Sequence, residues 1–223
     1  MLYLIATPIG NLQDITFRAL ETLKLCDLVL CEDTRRTGIL LKHYEIKRKL
    51  KSFHKFSEAS KENAILEELR DGKTIGLVSD AGTPGISDPG TRLVTACRRE
   101  GIPVCPIPGP CAAIAALSAS GLPTDRFQFF GFLPRKKGKL TRLFEEILAY
   151  PGTTICYESP YRLKASLQVL ATLDPKTPCV VARELTKKFE EFVAGTAEEL
   201  ATKYAEKHPK GEIVLLISPN VGV

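Results

Sequence analysis

Short apolar blocks recur along the chain with amphipathic stretches between them. Leu2–Ala6, Asp27–Cys31, Thr74–Val78 and Val104–Ile107 read as buried strands, and Lys51–Phe53 as a further short one. Between them, Asp14–Leu25, the segment from Thr34 to about Tyr44, Glu58–Arg70 and Thr91–Glu100 carry helical spacing. Pro108-Gly109-Pro110 then leads into an alanine-rich helix over Cys111–Ser120. This alternation predicts a largely parallel sheet with flanking helices. Gly121-Leu122-Pro123-Thr124-Asp125 breaks the pattern, so the expected domains are residues 1–120 and 121–223. Beyond the break, Arg126–Phe132, Thr153–Tyr157, Cys179–Arg183 and Glu212–Ile217 read as strands, and Lys139–Ala149, Tyr161–Leu173 and Ala197–Lys207 as helices. A second, smaller α/β layer with an antiparallel component is expected there. The chain shows no internal repeat and no low-complexity segment.

One connection stands out. Ser79-Asp80-Ala81-Gly82-Thr83-Pro84-Gly85-Ile86-Ser87-Asp88-Pro89-Gly90 joins a strand to a helix with twelve residues, where two to six are usual. Its glycines permit positive φ and close backbone approach, and its prolines stiffen the path. Asp80 stands at the carboxyl end of a strand, where open α/β sheets place side chains that touch ligands. A loop that holds a ligand is the reading this length favours over a plain connection with a capping aspartate.

Length and composition narrow the class. At 223 residues, with 44% hydrophobic and 26% charged residues, the chain suits a globular protein of two domains or of one large one. No apolar run reaches membrane-spanning length, and MLYLIATPIGN lacks a basic leader, so a cytosolic protein without membrane contact is expected. Seven cysteines, an odd number without C-x-x-C spacing, fall mostly in apolar runs and read as reduced core residues. The three histidines are scattered singly, so no metal is expected. The net charge of +5 is mild, but basic residues concentrate at Ile46–Lys55 and Arg135–Arg142, near expected loops, where they could neutralise phosphates.

The familiar nucleotide loops are absent. Gly72-Lys73-Thr74 resembles the end of a P-loop, yet Glu67 holds the position of the first glycine and the triplet precedes a strand. In the Gly82–Gly90 segment, Pro84 occupies the second glycine position of a dinucleotide fingerprint. The ligand of the Asp80 loop is therefore not expected to be gripped by a pyrophosphate.

Eight motifs in order carry a resemblance: LYLIATPIGNLQDIT, CEDTRRTGILL, SDAGTPGISDPG, PIPGP, FGFLPRK, CYESPYRL, ARELTKKFEE and GEIVLLI. Together they span nearly the whole chain. The chain resembles the tetrapyrrole-methylase-like (class III) superfamily of S-adenosylmethionine (SAM) methyltransferases, and within it the enzymes that methylate small-subunit ribosomal RNA. The resemblance implies two α/β domains with SAM in the cleft between them, and a homodimer. It implies 2′-O-methylation of a cytidine in the decoding centre of 16S rRNA, with the small ribosomal subunit as partner. Carried over by position, SAM contacts are expected from Pro8, Ile9, Asp80, Thr83, Cys111 and Ala112, joined by Tyr157, Ala182, Gly211 and Glu212. One departure falls at His54-Lys55-Phe56-Ser57-Glu58, where members usually show His-x-His-Asn-Glu.

Methyl transfer to a ribose hydroxyl needs alignment and a group to take the proton. Glu32, Asp33, His54, Asp88 and Glu158 stand at expected strand ends, and Asp33, His54 and Asp88 are the catalytic candidates. Asp33 is equally placed to cap the following helix. Glu158 is equally suited to accepting structural hydrogen bonds, with Arg162 as its ion-pair partner. Arg35 and Arg36 sit at a helix start, where the macrodipole disfavours cations, which points to phosphate. With Lys55, Arg135 and Lys136 they form the expected RNA surface. Two rivals remain open: a same-fold methyltransferase acting on a tetrapyrrole or corrin, and a non-catalytic RNA-binding assembly protein. The opening Ala6-Thr7-Pro8-Ile9-Gly10 differs from the G-x-G-x-G usual in tetrapyrrole enzymes.

Overall fold

The computed structural model describes residues 1–54, 58–206 and 209–219. The chain divides into two compact units of nearly equal length, Met1–Cys111 and Ala112–Val223.

The first unit carries five parallel strands in the order β3-β2-β4-β1-β5. They are β1 (Leu2–Ile5), β2 (Leu28–Cys31), β3 (Lys49–Ser52), β4 (Ile75–Val78) and β5 (Val104–Ile107). Strands β2 and β4 are buried at every position, the unbroken apolar reading of strands covered on both faces. Helices α1 (Phe17–Leu25) and α2 (Thr34–His43) place Ala19, Leu23, Leu40 and Leu41 against Ile5, Val29, Cys31 and Val78. Helices α3 (Glu58–Arg70) and α4 (Thr91–Arg99) place Ile65, Leu66, Leu69, Leu93 and Cys97 against Leu2, Leu28, Leu30, Ile75 and Leu77. These two sets alternate along the strands and therefore lie on opposite faces. Each fully buried leucine or isoleucine contributes about 2 kcal/mol of transfer free energy, so both faces hold the sheet.

The chain turns one way after β1, toward β2, and the other way after β4, toward β5. Strands β1 and β4 are neighbours, paired from Leu2↔Ile75 to Ile5↔Val78. Their carboxyl ends therefore form a topological switch point, where connections leave to opposite faces and open a crevice.

The second unit opens with α5 (Ala112–Ala119), which packs on strands of its own sheet. The division thus falls nine residues before the expected boundary of 120/121. The glycine break at Gly121 marks the end of a helix within a unit, and that helix lays Ala113, Ala116 and Leu117 against the sheet. The sheet order is β6-β7-β10-β8-β9, built from β6 (Phe127–Phe132), β7 (Thr153–Glu158), β8 (Pro178–Arg183), β9 (Glu191–Thr196) and β10 (Ile213–Ile217). Only β6 and β7 run parallel; β10 is antiparallel to β7 and β8, and β9 to β8. The expected antiparallel component is present, and β9 is a strand that the sequence pattern did not reveal. Helices α6 (Lys137–Ala149), α7 (Leu163–Leu173) and α8 (Ala197–Glu206) join Cys156, Val181 and Leu215 in one core. Among the described residues no helix is long and apolar enough to cross a membrane.

Candidate functional site

The switch point of the first unit is built from the loops after β1, β2, β4 and β5. Thr7 and Gly82 exchange two backbone hydrogen bonds, of 2.9 and 3.0 Å, which staple the first loop to the long one. The Thr7 hydroxyl donates to the Ser79 carbonyl at 3.1 Å, and the Ser79 hydroxyl to that of Gly82 at 3.0 Å. Gly82 adopts φ +85°, and a Cβ there would stand 3.3 Å from Cγ2 of Ile9. The Thr83 hydroxyl donates to the carbonyl of Pro110 at 3.1 Å, tying the long loop to the Pro-Gly-Pro turn. Pro8, Ile9, Asp80 and Thr83 are therefore brought together by this one crevice. Cys111 ends the unit, and Ala112 begins α5.

The far end of the long loop is held by a residue that sequence reasoning passed over. Gly90 precedes α4 with φ +132°, and its N–H donates to Oε1 of Glu58 at 2.8 Å. A Cβ on Gly90 would lie 2.7 Å from Cδ2 of Leu77, so only glycine fits. Glu58 in turn follows the His54 loop, its N–H donating to the His54 carbonyl at 3.1 Å. Lys55, Phe56 and Ser57 lie outside the described residues.

Four acidic side chains line the crevice, and their environments separate their roles. Asp33 caps α2: its Oδ1 accepts from the Arg35 N–H at 2.9 Å and from Arg35 Nε at 3.0 Å, while Arg35 Nη2 meets Oδ2 at 2.8 Å. Those bonds pull its carboxyl down to about 2, the signature of a committed cap and a poor proton acceptor. Arg35 is held by the same pair, which accounts for a cation at a helix start. Asp80 Oδ1 accepts from the Asp33 N–H at 3.0 Å, and Arg36 Nη1 stands 3.7 Å from Oδ2.

Glu32 and Asp88 form the contrasting pair. Their carboxyls are hydrogen-bonded to each other, and Asp80 adds a third charge. Burial, then the charges of Asp88 and Asp80, push Glu32 up to about 7, with Arg36 opposing. Burial pushes Asp88 up to about 6; the Ser79 hydroxyl and Glu32 draw it down and Asp80 lifts it. Near neutral pH the pair shares a proton, Glu32 donating to Asp88. Oε1 of Glu32 is buried and meets no hydrogen-bond donor.

In the second unit, Tyr157, Val214 and Ala182 stand side by side across β7, β10 and β8. Paired residues share a face, and this row lies on the face opposite the core formed by Cys156, Leu215 and Val181. Tyr157 meets the ring edges of Phe129 and Phe132 at 5.0 and 5.6 Å between centroids. Gly211 and Glu212 lead into β10. The Glu184 N–H donates to the Glu212 carbonyl at 2.9 Å, the Glu212 N–H to Oε1 of Glu184 at 3.0 Å, and Lys187 bridges both carboxylates at 2.9 and 2.8 Å. Glu158 is wholly buried: it pairs with Arg162 and accepts from the Ser159 N–H at 2.6 Å and from the Ser166 hydroxyl at 2.5 Å. It is a structural acceptor that fixes the turn into α7. Arg135 and Lys136 are exposed between β6 and α6.

Among the described residues no group of His, Cys, Asp and Glu could hold a metal ion. For a sulfonium cofactor the crevice offers the carboxylate of Asp80 and the undonated oxygen of Glu32, a set that suits a cationic molecule.

Comparison with known proteins agrees with this architecture. The uroporphyrin-III-C-methyltransferase of Thermus thermophilus shares the fold, with a TM-score of 0.66 and 22% identity over 98% of this chain and 94% of that one. The protein named "Ribosomal RNA small subunit methyltransferase I" in Halalkalibacterium halodurans is 49% identical over 219 residues, 98% of this chain and 76% of the relative. The protein of the same name in Hydrogenobaculum sp. is 46% identical over 220 residues, 97% of this chain and 95% of the relative. The profile of the family "Tetrapyrrole (Corrin/Porphyrin) Methylases" matches residues 1–201. With nearly half of its residues shared with these relatives over nearly its whole length, and this profile covering residues 1–201, the chain belongs to the tetrapyrrole (corrin/porphyrin) methylase family.

Proposed function

We propose that this chain is a SAM-dependent methyltransferase that methylates the ribose 2′-hydroxyl of a cytidine in the decoding centre of 16S rRNA, acting as a cytoplasmic homodimer on the small ribosomal subunit. The observation that carries the reading is identity of about one half, over nearly the whole chain, with proteins named for small-subunit rRNA methylation. The motif order across both units supports it further.

SAM, when bound, supplies an electrophilic methyl on a sulfonium. The loops after β1, β4 and β5 would hold it through Pro8, Ile9, Asp80, Thr83, Cys111 and Ala112, and the second unit would add Tyr157, Ala182, Gly211 and Glu212. Asp80 contributes a carboxylate complementary to the cofactor's positive charge. Asp88 would take the proton of the ribose hydroxyl as that oxygen gains the methyl group and the methyl's bond to sulfur breaks, and Glu32 would tune it by sharing a proton. His54, at the end of β3, lies at the rim of the same loop cluster and is proposed to orient the ribose. Asp33 serves the site by capping α2 and by presenting its N–H to Asp80. Arg36, Lys55, Arg135 and Lys136 are proposed phosphate contacts, with Arg35 available once it exchanges Asp33 for phosphate.

The test is transfer of radiolabel from SAM to small ribosomal subunits lacking 2′-O-methylation, followed by mapping of the labelled nucleotide. Label on a cytidine ribose, lost with Asp80→Ala, is the expected result. SAM binding without transfer to subunits or to naked RNA would overturn the proposed substrate.

A further inference from the structure

Of the first basic cluster of the sequence, Ile46–Lys55, only His54 and Lys55 are assigned to the crevice. Most of it lies at the other end of the sheet. An open groove of about 1140 Å³ runs along the amino ends of β2 and β3 and the last turn of α2, and its lining includes Lys42, Lys47, Arg48 and Lys49. Strands of four residues put this groove about 13 Å from the crevice.

Ordinary structural duties account for part of this charge. Lys51 is taken, being paired with Glu68 at 3.1 Å. Arg48 is anchored, its Nε donating to the Leu23 carbonyl at 3.4 Å and its Nη2 to that of Lys24, so it closes the end of α1 and keeps its charge in the groove wall. Lys42 suits the last turn of α2, where the macrodipole favours a cation. Lys49 also guards the edge strand β3 against pairing with other chains. Lys47 has no such duty. Lys42, Lys47 and Lys49 are exposed, and among the described residues none of them stands in an ion pair. Two carboxylates share the groove: Asp27, whose Oδ2 accepts from the Thr74 N–H at 2.8 Å, and the exposed Glu45. Four cations against two carboxylates leave the groove positive, and its volume exceeds that of an ordinary small-molecule pocket. A polyanion that tracks along the groove matches both properties.

We propose that the groove rimmed by Lys42, Lys47 and Lys49 binds the phosphate backbone of the RNA substrate at a point remote from the nucleotide being methylated. The proposal rests on the reading of RNA as substrate. The groove anchors RNA without touching the reacting atoms, so it acts on KM and leaves kcat alone.

The experiment measures binding of a fluorescent small-subunit rRNA fragment by anisotropy between 50 and 200 mM KCl. It compares the wild-type protein, Lys42→Gln/Lys47→Gln/Lys49→Gln, and a control with Lys176→Gln/Lys203→Gln. Three lost phosphate contacts reduce the slope of log K against log [salt] by about 2, and weaken binding about 50-fold at 0.15 M salt. The triple variant is expected to show both effects, with SAM affinity by calorimetry and kcat unchanged, and the control neither. A slope equal to wild type in the triple variant overturns the groove, as does an equal loss per charge in the control. Loss of binding to anionic vesicles with RNA binding intact also overturns it, in favour of a membrane surface. A wild-type protein that binds no RNA overturns the substrate reading itself, and the groove proposal with it.

Discussion

The backbone N–H of Asp33 donates to Oδ1 of Asp80 across 3.0 Å, so one side chain holds the end of β2 to the loop after β4. The two residues are 47 positions apart, and the bond leaves Oδ2 of Asp80 free to face a cation, with Arg36 at 3.7 Å. Asp80 thus joins a structural duty to the proposed binding one, and two substitutions separate them. Asp80→Ala leaves a half-buried N–H without its acceptor and is expected to cost about 1–2 kcal/mol of stability. Asp80→Asn keeps an acceptor and is expected to stay within about 0.5 kcal/mol of wild type. Both are expected to weaken SAM binding at least about tenfold, the equivalent of 1.4 kcal/mol. Urea denaturation and calorimetry check the two arms; an asparagine variant with wild-type SAM affinity would remove the charge from the binding argument.

The pair Glu32 and Asp88 sets a pH dependence for turnover. A proton acceptor must be ionised, so kcat is expected to fall as pH drops through about 6, the value to which burial lifts Asp88. At pH 8, Asp88→Asn is expected to lower kcat by about 10²–10⁴ with SAM affinity unchanged. Single-turnover rates from pH 5 to 9 decide it. A flat profile, or an unimpaired asparagine variant, would move the base elsewhere.

The same pair sets a pH dependence for stability, of the sign opposite to that of a salt-bridged acid. Glu32 is raised in the folded state from 4.5 to about 7, so the folded protein binds more protons than the unfolded one between those values. Its contribution is present below about 4.5 and is lost as pH rises through about 7. Glu32→Gln removes this dependence. Its stability relative to wild type is expected to improve from pH 5 to pH 8 by no more than about 1 kcal/mol, because solvent reaches part of the pair. Chemical denaturation at the two pH values reads the difference directly, and a variant whose stability relative to wild type falls from pH 5 to pH 8 would contradict the assigned cause.

Glu158 stands apart from catalysis and gives the complementary prediction. Glu158→Ala would leave Arg162 with the Leu133 carbonyl alone and the buried Ser166 hydroxyl without its acceptor, at a cost of about 1–3 kcal/mol. Glu158→Gln keeps an acceptor for the Ser159 N–H and is expected to cost less, with kcat per folded molecule unchanged. Loss of kcat in a folded glutamine variant would return Glu158 to the catalytic candidates.

Several features of the site were legible in the chain because they are local. The length and composition of Ser79–Gly90 announced a built loop, and Asp33 announced a cap by standing one residue before a helical pattern. Strand β9 was hidden, since Glu191-Phe192-Val193-Ala194-Gly195-Thr196 lies at a sheet edge, is only half buried and carries no strong alternation. Its identity as a strand comes from pairing with β8, from Pro178↔Thr196 to Arg183↔Glu191. The division after Cys111 was not visible for a related reason: Gly121 ends a helix visibly, while the surface on which that helix packs is set by residues far along the chain.

The sequence by itself determined every strand and helix but β9, the parallel character of the first sheet and the family, because apolar periodicity, turn residues and motif order are properties of neighbouring positions. The tertiary structure decided which acids act together. Glu32 and Asp88 have ordinary identities in the chain. Only the meeting of the β2 and β4 loops at the switch point buries them against each other and beside Asp80, raising both, while the adjacent Asp33 stays low in the grip of Arg35. Proton affinity depends on burial and on the distance between charges, and both are set by the fold.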